Sequence, residues 1–175
     1  MATLALLSAA VALLLSFLIA NQASQFGFAV AVRFLERGSV IPPDNDPLTA
    51  ENLDRWRSDP ANRAAAQGYA SRLMPLDIVF LLSLGCFFGF ASATLAGHAG
   101  MSTSYLVWPW IAPALYMASD LIEDLLIRNV LLSPAPPARN FVQMRRATGA
   151  KMVTSMICFL QVFVLTFRSL WSMPG

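Results

Sequence analysis

The run Ser119-Asp120-Leu121-Ile122-Glu123-Asp124-Leu125-Leu126-Ile127-Arg128 puts three carboxylates into a segment otherwise apolar enough to cross a bilayer. At about 100° per residue, Asp120, Glu123 and Asp124 share an arc of roughly 100° on one helix face. One charge near the centre of a membrane helix costs about 2.5–3.5 kcal/mol. Three on one face therefore need partners, protons or water.

The surrounding composition fits a membrane setting. The 175 residues are 57% apolar and only 13% charged, whereas a soluble domain carries about 25% charged residues. With helices the simplest way to satisfy a backbone in lipid, the chain reads as an all-α polytopic membrane protein forming one domain. A net charge of +2 without basic residues interleaved with aromatics argues against a nucleic-acid partner. Cys86 and Cys158 both lie in apolar segments and read as small core residues rather than a disulfide. The single histidine, His98, sits in a Gly-rich stretch, so neither a His-built metal site nor a haem is expected, and no cofactor or metal is implied.

Four spans are expected. The first covers residues 4–32, long enough to cross with tilt. Its start, Met1-Ala2-Thr3, has no positive charge, and Asn21 fits a cleavage site poorly, which favours a retained span over a signal peptide. Ser8, Ala12, Ser16, Ala20 and Ser24 recur every four residues, a stripe that allows close helix approach. Residues 33–74 are a polar loop with a linker at Pro42-Pro43-Asp44-Asn45-Asp46-Pro47 and two short helices, 49–57 and 61–72. Asp59 and Pro60 supply the cap and first position of the second, and Trp56 and Tyr69 would seat the pair at the membrane surface. The second span, 75–96, carries Gly85, Gly89, Ala93 and Gly97 at fourfold spacing. The third is 105–132, with Pro109 and Pro113 near its start. The fourth is 149–171.

Basic residues set the orientation. Arg33, Arg37, Arg55, Arg57, Arg63 and Arg72 lie in one loop, and Arg139, Arg145 and Arg146 in another. Only Arg168 lies near the opposite side. The positive-inside rule places both basic loops in the cytoplasm and both termini outside, with Tyr105, Trp108, Trp110 and Trp171 forming an outer aromatic belt. The short helices then belong to a cytoplasmic loop between the first two spans, and a bacterial inner membrane is the expected location.

Counting about 1.5 Å per residue puts Asp77 a few ångströms from the cytoplasmic ends, Glu123 and Asp124 about 10–12 Å in, and Asp120 near the midplane with Gln161. The fourth span has its own polar stripe of Lys151, Thr154 or Ser155, Cys158 and Gln161. Turned toward the acids, it would form a polar cavity open to the cytoplasm, with each carboxyl paired, hydrogen-bonded or neutral. A plainer arrangement pairs Asp124 with Arg128 one turn on, and Lys151 with Asp77 or Glu123, so that the charges only fix register.

No G-x-S-x-G, Walker loop, H-E-x-x-H or C-x-x-C occurs, so the balance lies against an enzyme. The order of a polar segment, Leu76-Asp77-Ile78-Val79-Phe80, an aromatic-rich span and a proline-led span ending in Asp120-Leu121-Ile122-Glu123-Asp124 resembles a group of uncharacterised bacterial four-helix membrane proteins. The likeness covers residues 49–167 and implies no activity. In that group an asparagine often follows the glutamate, where this chain has Asp124. In length and span count the chain is more loosely similar to EXPERA-type membrane proteins, whose bundle acids engage a cationic amine or carbocation-like intermediate. The Glu123-Asp124 pair is the local echo of that arrangement.

The expected function is an acidic intramembrane cavity that binds a small or lipidic cationic ligand or relays protons. Asp120, Glu123 and Asp124 would carry it, tuned by Asp77, Lys151 and Gln161. One alternative is an accessory or assembly subunit of a larger membrane complex. It would bind a partner or a second copy through Ser8, Ala12, Ser16 and Ala20 or through Gly85, Gly89 and Ala93. Another is a lipid-modifying enzyme using a carboxyl general acid, which requires an opening beside Asp120.

Overall fold

The computed structural model describes residues 1–25, 49–101, 107–133 and 138–172. All regular structure among them is helical: α1 (Ala2–Gln25), α2 (Ala50–Ser58), α3 (Pro60–Gly68), a π-helical turn (Tyr69–Leu73), α4 (Met74–His98), α5 (Trp108–Leu132) and α6 (Ala138–Trp171). α4 is the central element, packed against α1, α5 and α6, and α5 lies along α6. Residues 26–48, which include the end of the expected first span and the proline-rich linker, lie outside the described residues, as do Tyr105 and residues 134–137.

Two boundaries differ from expectation. Asp59 caps α3 by accepting from the Ala61 amide at 2.9 Å, with Pro60 at the first helical position, as the sequence suggests. The helix then continues past Arg72, so that Pro60–His98 is one helical run of 39 residues. Pro75 lacks an amide proton, and its ring competes for space with the carbonyl four residues back. The π turn, closed by the Met74 amide on the Tyr69 carbonyl, widens the backbone just ahead of the proline and lets the helix pass. The expected surface helix and second span are therefore continuous. α6 likewise starts at Ala138 rather than 149, because Arg139 to Thr148 contains no breaker and Gly149 is tolerated within a long helix.

Three helices are long and apolar enough to cross a membrane: Ala2–Gln22, Pro60–His98 and Arg139–Trp171. The expectation of four meets α5 as its difficulty. That helix has 25 residues, the same as α4, but Asp120, Glu123, Asp124 and Arg128 give it too much charge to qualify by composition.

Two apolar clusters stack along the bundle. The lower one gathers Leu53, Tyr69, Leu73, Met74, Ile127, Val130 and Met144, with Ile78 and Phe141 against it. Leu53 of α2 is buried in this cluster and Trp56 packs on it, so α2 closes the arginine-bearing end. Arg57 holds α2 there by donating to the Ser133 carbonyl. The upper cluster gathers Phe88, Ala112, Tyr116 and Cys158, with Leu84, Met117 and Val162 against it. Phe88 sits edge-on to Tyr116 and to Phe159.

Gly85 and Gly89 let α4 and α5 approach closely. A Cβ on Gly85 would strike the Met117 side chain, and one on Gly89 would enter the Trp110 ring. Gly85, Gly89 and Ala93 are buried, so this stripe is filled within the chain. Of the α1 stripe, Ala12 is buried, Ser8 and Ser16 are half-buried and Ala20 is exposed.

Candidate functional site

The acids lie between the two clusters. On α5 they fall between Tyr116 above and Ile127 below. Leu121, Ile122 and Leu125 occupy the outward positions and are exposed. That alternation at helical spacing turns Asp120, Glu123 and Asp124 inward, and each is only 1% exposed.

α6 supplies the counter-charge. Lys151 Nζ lies 2.7 Å from Asp120 Oδ1 and 3.0 Å from Glu123 Oε2. One turn earlier, the Thr148 hydroxyl donates to Glu123 Oε1. One turn before Asp120 on α5, the buried Tyr116 side chain lies beside the Asp120 carboxyl. The next layer of α6 continues the polar seam, with Thr154 and Ser119 hydroxyls 3.0 Å apart. Asp120 is thus held by the ammonium, and Glu123 by the ammonium and the Thr148 hydroxyl.

Asp124 is held differently. Its neighbour is the Asp77 carboxyl of α4. Asp124 Oδ2 is buried and no donor among the described residues reaches it. Ionised carboxylates only accept, so two side by side in a buried layer are eased by a shared proton or by a nearby cation. Asp77 is the half-buried member of the four, and the only one with an exposed edge.

The expected pairings change accordingly. Arg128 is exposed and takes part in no ion pair found among the described residues; Lys151 is the counter-ion instead. Asp77, expected a few ångströms from the cytoplasmic end, sits on α4 beside Asp124. Gln161 does not join the acids. Its amide nitrogen donates to Ser92 Oγ at 2.9 Å and to the Pro109 carbonyl at 2.8 Å. Pro113 has no amide proton to offer that carbonyl, so Gln161 supplies the missing donor across the helix interface. Gln161→Leu is expected to orphan both acceptors and cost about 1–2 kcal/mol, read as a lower unfolding temperature in detergent with the acidic layer unchanged.

Tyr116 and Thr148 went unrecognised as site residues. Both were within reach of helical spacing: Tyr116 lies four residues before Asp120, and Thr148 three before Lys151.

No known protein family, curated protein or solved structure matches the chain. The likeness of layout to the four-helix group rests on the quoted residues alone.

Proposed function

We propose that this is an integral membrane protein of four spanning helices whose enclosed carboxyl pair, Asp77 and Asp124, binds a small cation or a proton. The observation that carries the reading is the uneven compensation of the acidic layer. Lys151 lies within 3.0 Å of Asp120 and Glu123, whereas Asp124 has Asp77 as a carboxyl neighbour and its Oδ2 has no hydrogen-bond partner among the described residues. Four carboxyls around one ammonium leave negative charge in a dry layer, which a proton or a bound cation must offset. The same geometry supports α5 as the fourth span, since its acids all face the bundle and its lipid-side positions are apolar.

In this reading Asp120, Glu123, Lys151, Thr148 and Tyr116 form a fixed frame, and Asp77 is the entry. The arginine-rich end lies in the cytoplasm, with both termini outside, in a bacterial inner membrane. Asp120 is closed in by Tyr116 and Lys151, which does not favour lipid chemistry at that carboxyl. The filled Gly85–Gly89 stripe removes one argument for an accessory subunit.

Asp124→Asn tests the proposal. The parent protein should show a carboxylic-acid carbonyl band in the infrared or a copurifying small amine by mass spectrometry. The variant should lose that signal while keeping its unfolding temperature, since the asparagine amide fills the same space without a charge to offset. An Asp124→Asn protein with the parent's spectrum and bound content would mean that Asp124 binds nothing.

A further inference from the structure

The acidic layer is not equally far from the two ends of the bundle. Toward the arginine-bearing end, exposed Arg72 precedes Asp77 by five residues on one continuous helix, and exposed Arg128 follows Asp124 by four on α5. At about 1.5 Å per residue, the pair lies about 6–8 Å from the level of those arginines. Asp77 is half-buried and keeps an exposed edge. Toward the other end the way is closed. Leu81 and Phe88 of α4, Ala112 and Tyr116 of α5 and Cys158 of α6 are all buried, with Phe88 edge-on to Tyr116. The Ser119–Thr154 contact extends the polar seam by one turn. Beyond it, the next polar contact between helices joins Gln161 to Ser92 and to the Pro109 carbonyl. Gln161 lies ten residues past Lys151, a rise of about 15 Å. A proton crosses a membrane along side chains that can both give and take one. Tyr116 and Cys158, which could pass one on, are themselves packed in the apolar cluster.

Building on the carboxyl-pair function proposed above, we propose that its occupant is a proton that enters and leaves from the arginine-bearing side alone. The layer then responds to the acidity of that side and does not conduct across the membrane. Asp124 is 1% exposed, and its Oδ2 has no hydrogen-bond partner among the described residues. The Lys151 ammonium is engaged by Asp120 and Glu123. A divalent cation takes about six or more oxygen ligands, and no group of three acidic, histidine or cysteine side chains able to hold a metal is found among the described residues. An organic amine would have to share the layer with the Lys151 ammonium, whereas a proton needs no added space. The charged and titratable groups facing the pair are Asp120, Glu123 and Tyr116 of α5 and Lys151 of α6. α1, which also packs on α4, carries none.

The test uses the full chain in sealed phosphatidylcholine vesicles, with the internal pH clamped and the external pH varied. Dicyclohexylcarbodiimide crosses membranes and modifies protonated carboxyls, and mass spectrometry locates the adduct. Molecules whose arginine-rich end faces out are those that external trypsin cleaves. In them, labelling of Asp77 or Asp124 should fall as the external pH rises, by up to about tenfold per unit. In the uncleaved molecules it should not change, and Asp124→Asn should lose the Asp124 adduct. With valinomycin and a potassium gradient, proton entry reported by an internal dye should match that of protein-free vesicles. Labelling that follows the pH of the opposite side, or proton entry through the parent that Asp124→Asn abolishes, overturns the one-sided site and leaves the carboxyl pair as a binding site. Absence of labelling with an amine copurifying overturns the proton alone. Absence of both overturns the function proposed above as well.

Discussion

Lys151→Met is expected to be the most damaging single substitution in the bundle. The Lys151 ammonium lies within 3.0 Å of both Asp120 and Glu123, and both acids are 1% exposed. Removing the ammonium leaves two buried carboxylates without their counter-ion and only the Thr148 hydroxyl on Glu123. Breaking a buried ion pair from one side costs about 3–5 kcal/mol, because the stranded charge keeps its desolvation penalty. The unfolding temperature in detergent should fall by on the order of 10 °C. A triple variant, Asp120→Asn with Glu123→Gln and Lys151→Met, removes the charges together and should recover most of the loss. If Lys151→Met melts within a degree or two of the parent, Lys151 is not the counter-ion that holds the layer. This outcome would leave the Asp77–Asp124 pair untouched, so it separates the frame from the proposed binding pair.

Gly89→Leu should rank next. A Cβ at this position would meet the Trp110 indole, with its Cη2 atom 2.7 Å away. Trp110 is stacked edge-on against Phe90 at a centroid separation of 4.9 Å, so the ring has little room to turn. Forcing a side chain into such a contact costs about 1–3 kcal/mol and pushes α4 away from α5. Gly85→Ala should be milder, because the atoms in its path belong to the Met117 side chain, which has several rotatable bonds and adapts readily. The measurement is the unfolding temperature of both variants beside the parent. Equal losses at the two positions would show that the helix separation, rather than the ring, sets the limit.

The carboxylate face of α5 was legible because its chemistry is periodic. Asp120, Glu123 and Asp124 recur at helical spacing between Leu121, Ile122 and Leu125, and only one face of that helix can be turned from lipid. Lys151 was legible as a candidate partner for the same reason, as the deepest cation of a polar stripe. Four spans are read from the sequence, whereas three helices of the structure are long and apolar enough to cross a membrane, because the acids of α5 lower its hydropathy. The partner of Asp124 was not legible. Arg128, one turn away in sequence, was the obvious choice, but local spacing cannot say which side of a helix meets a neighbour.

Sequence alone therefore determined an all-helical, membrane-apt chain with a buried acidic stripe, since hydropathy and period are properties of each segment by itself. The tertiary structure decided the rest. A π turn ahead of Pro75 lets α3 run on into α4, and the packing of α4 on α5 puts Asp77 beside Asp124. The register of α6 against α5 gives Lys151 to Asp120 and Glu123, and sends Gln161 instead to the carbonyl left unpaired by Pro113. Those assignments depend on how far one helix slides along another, and that is fixed by packing across the whole interface.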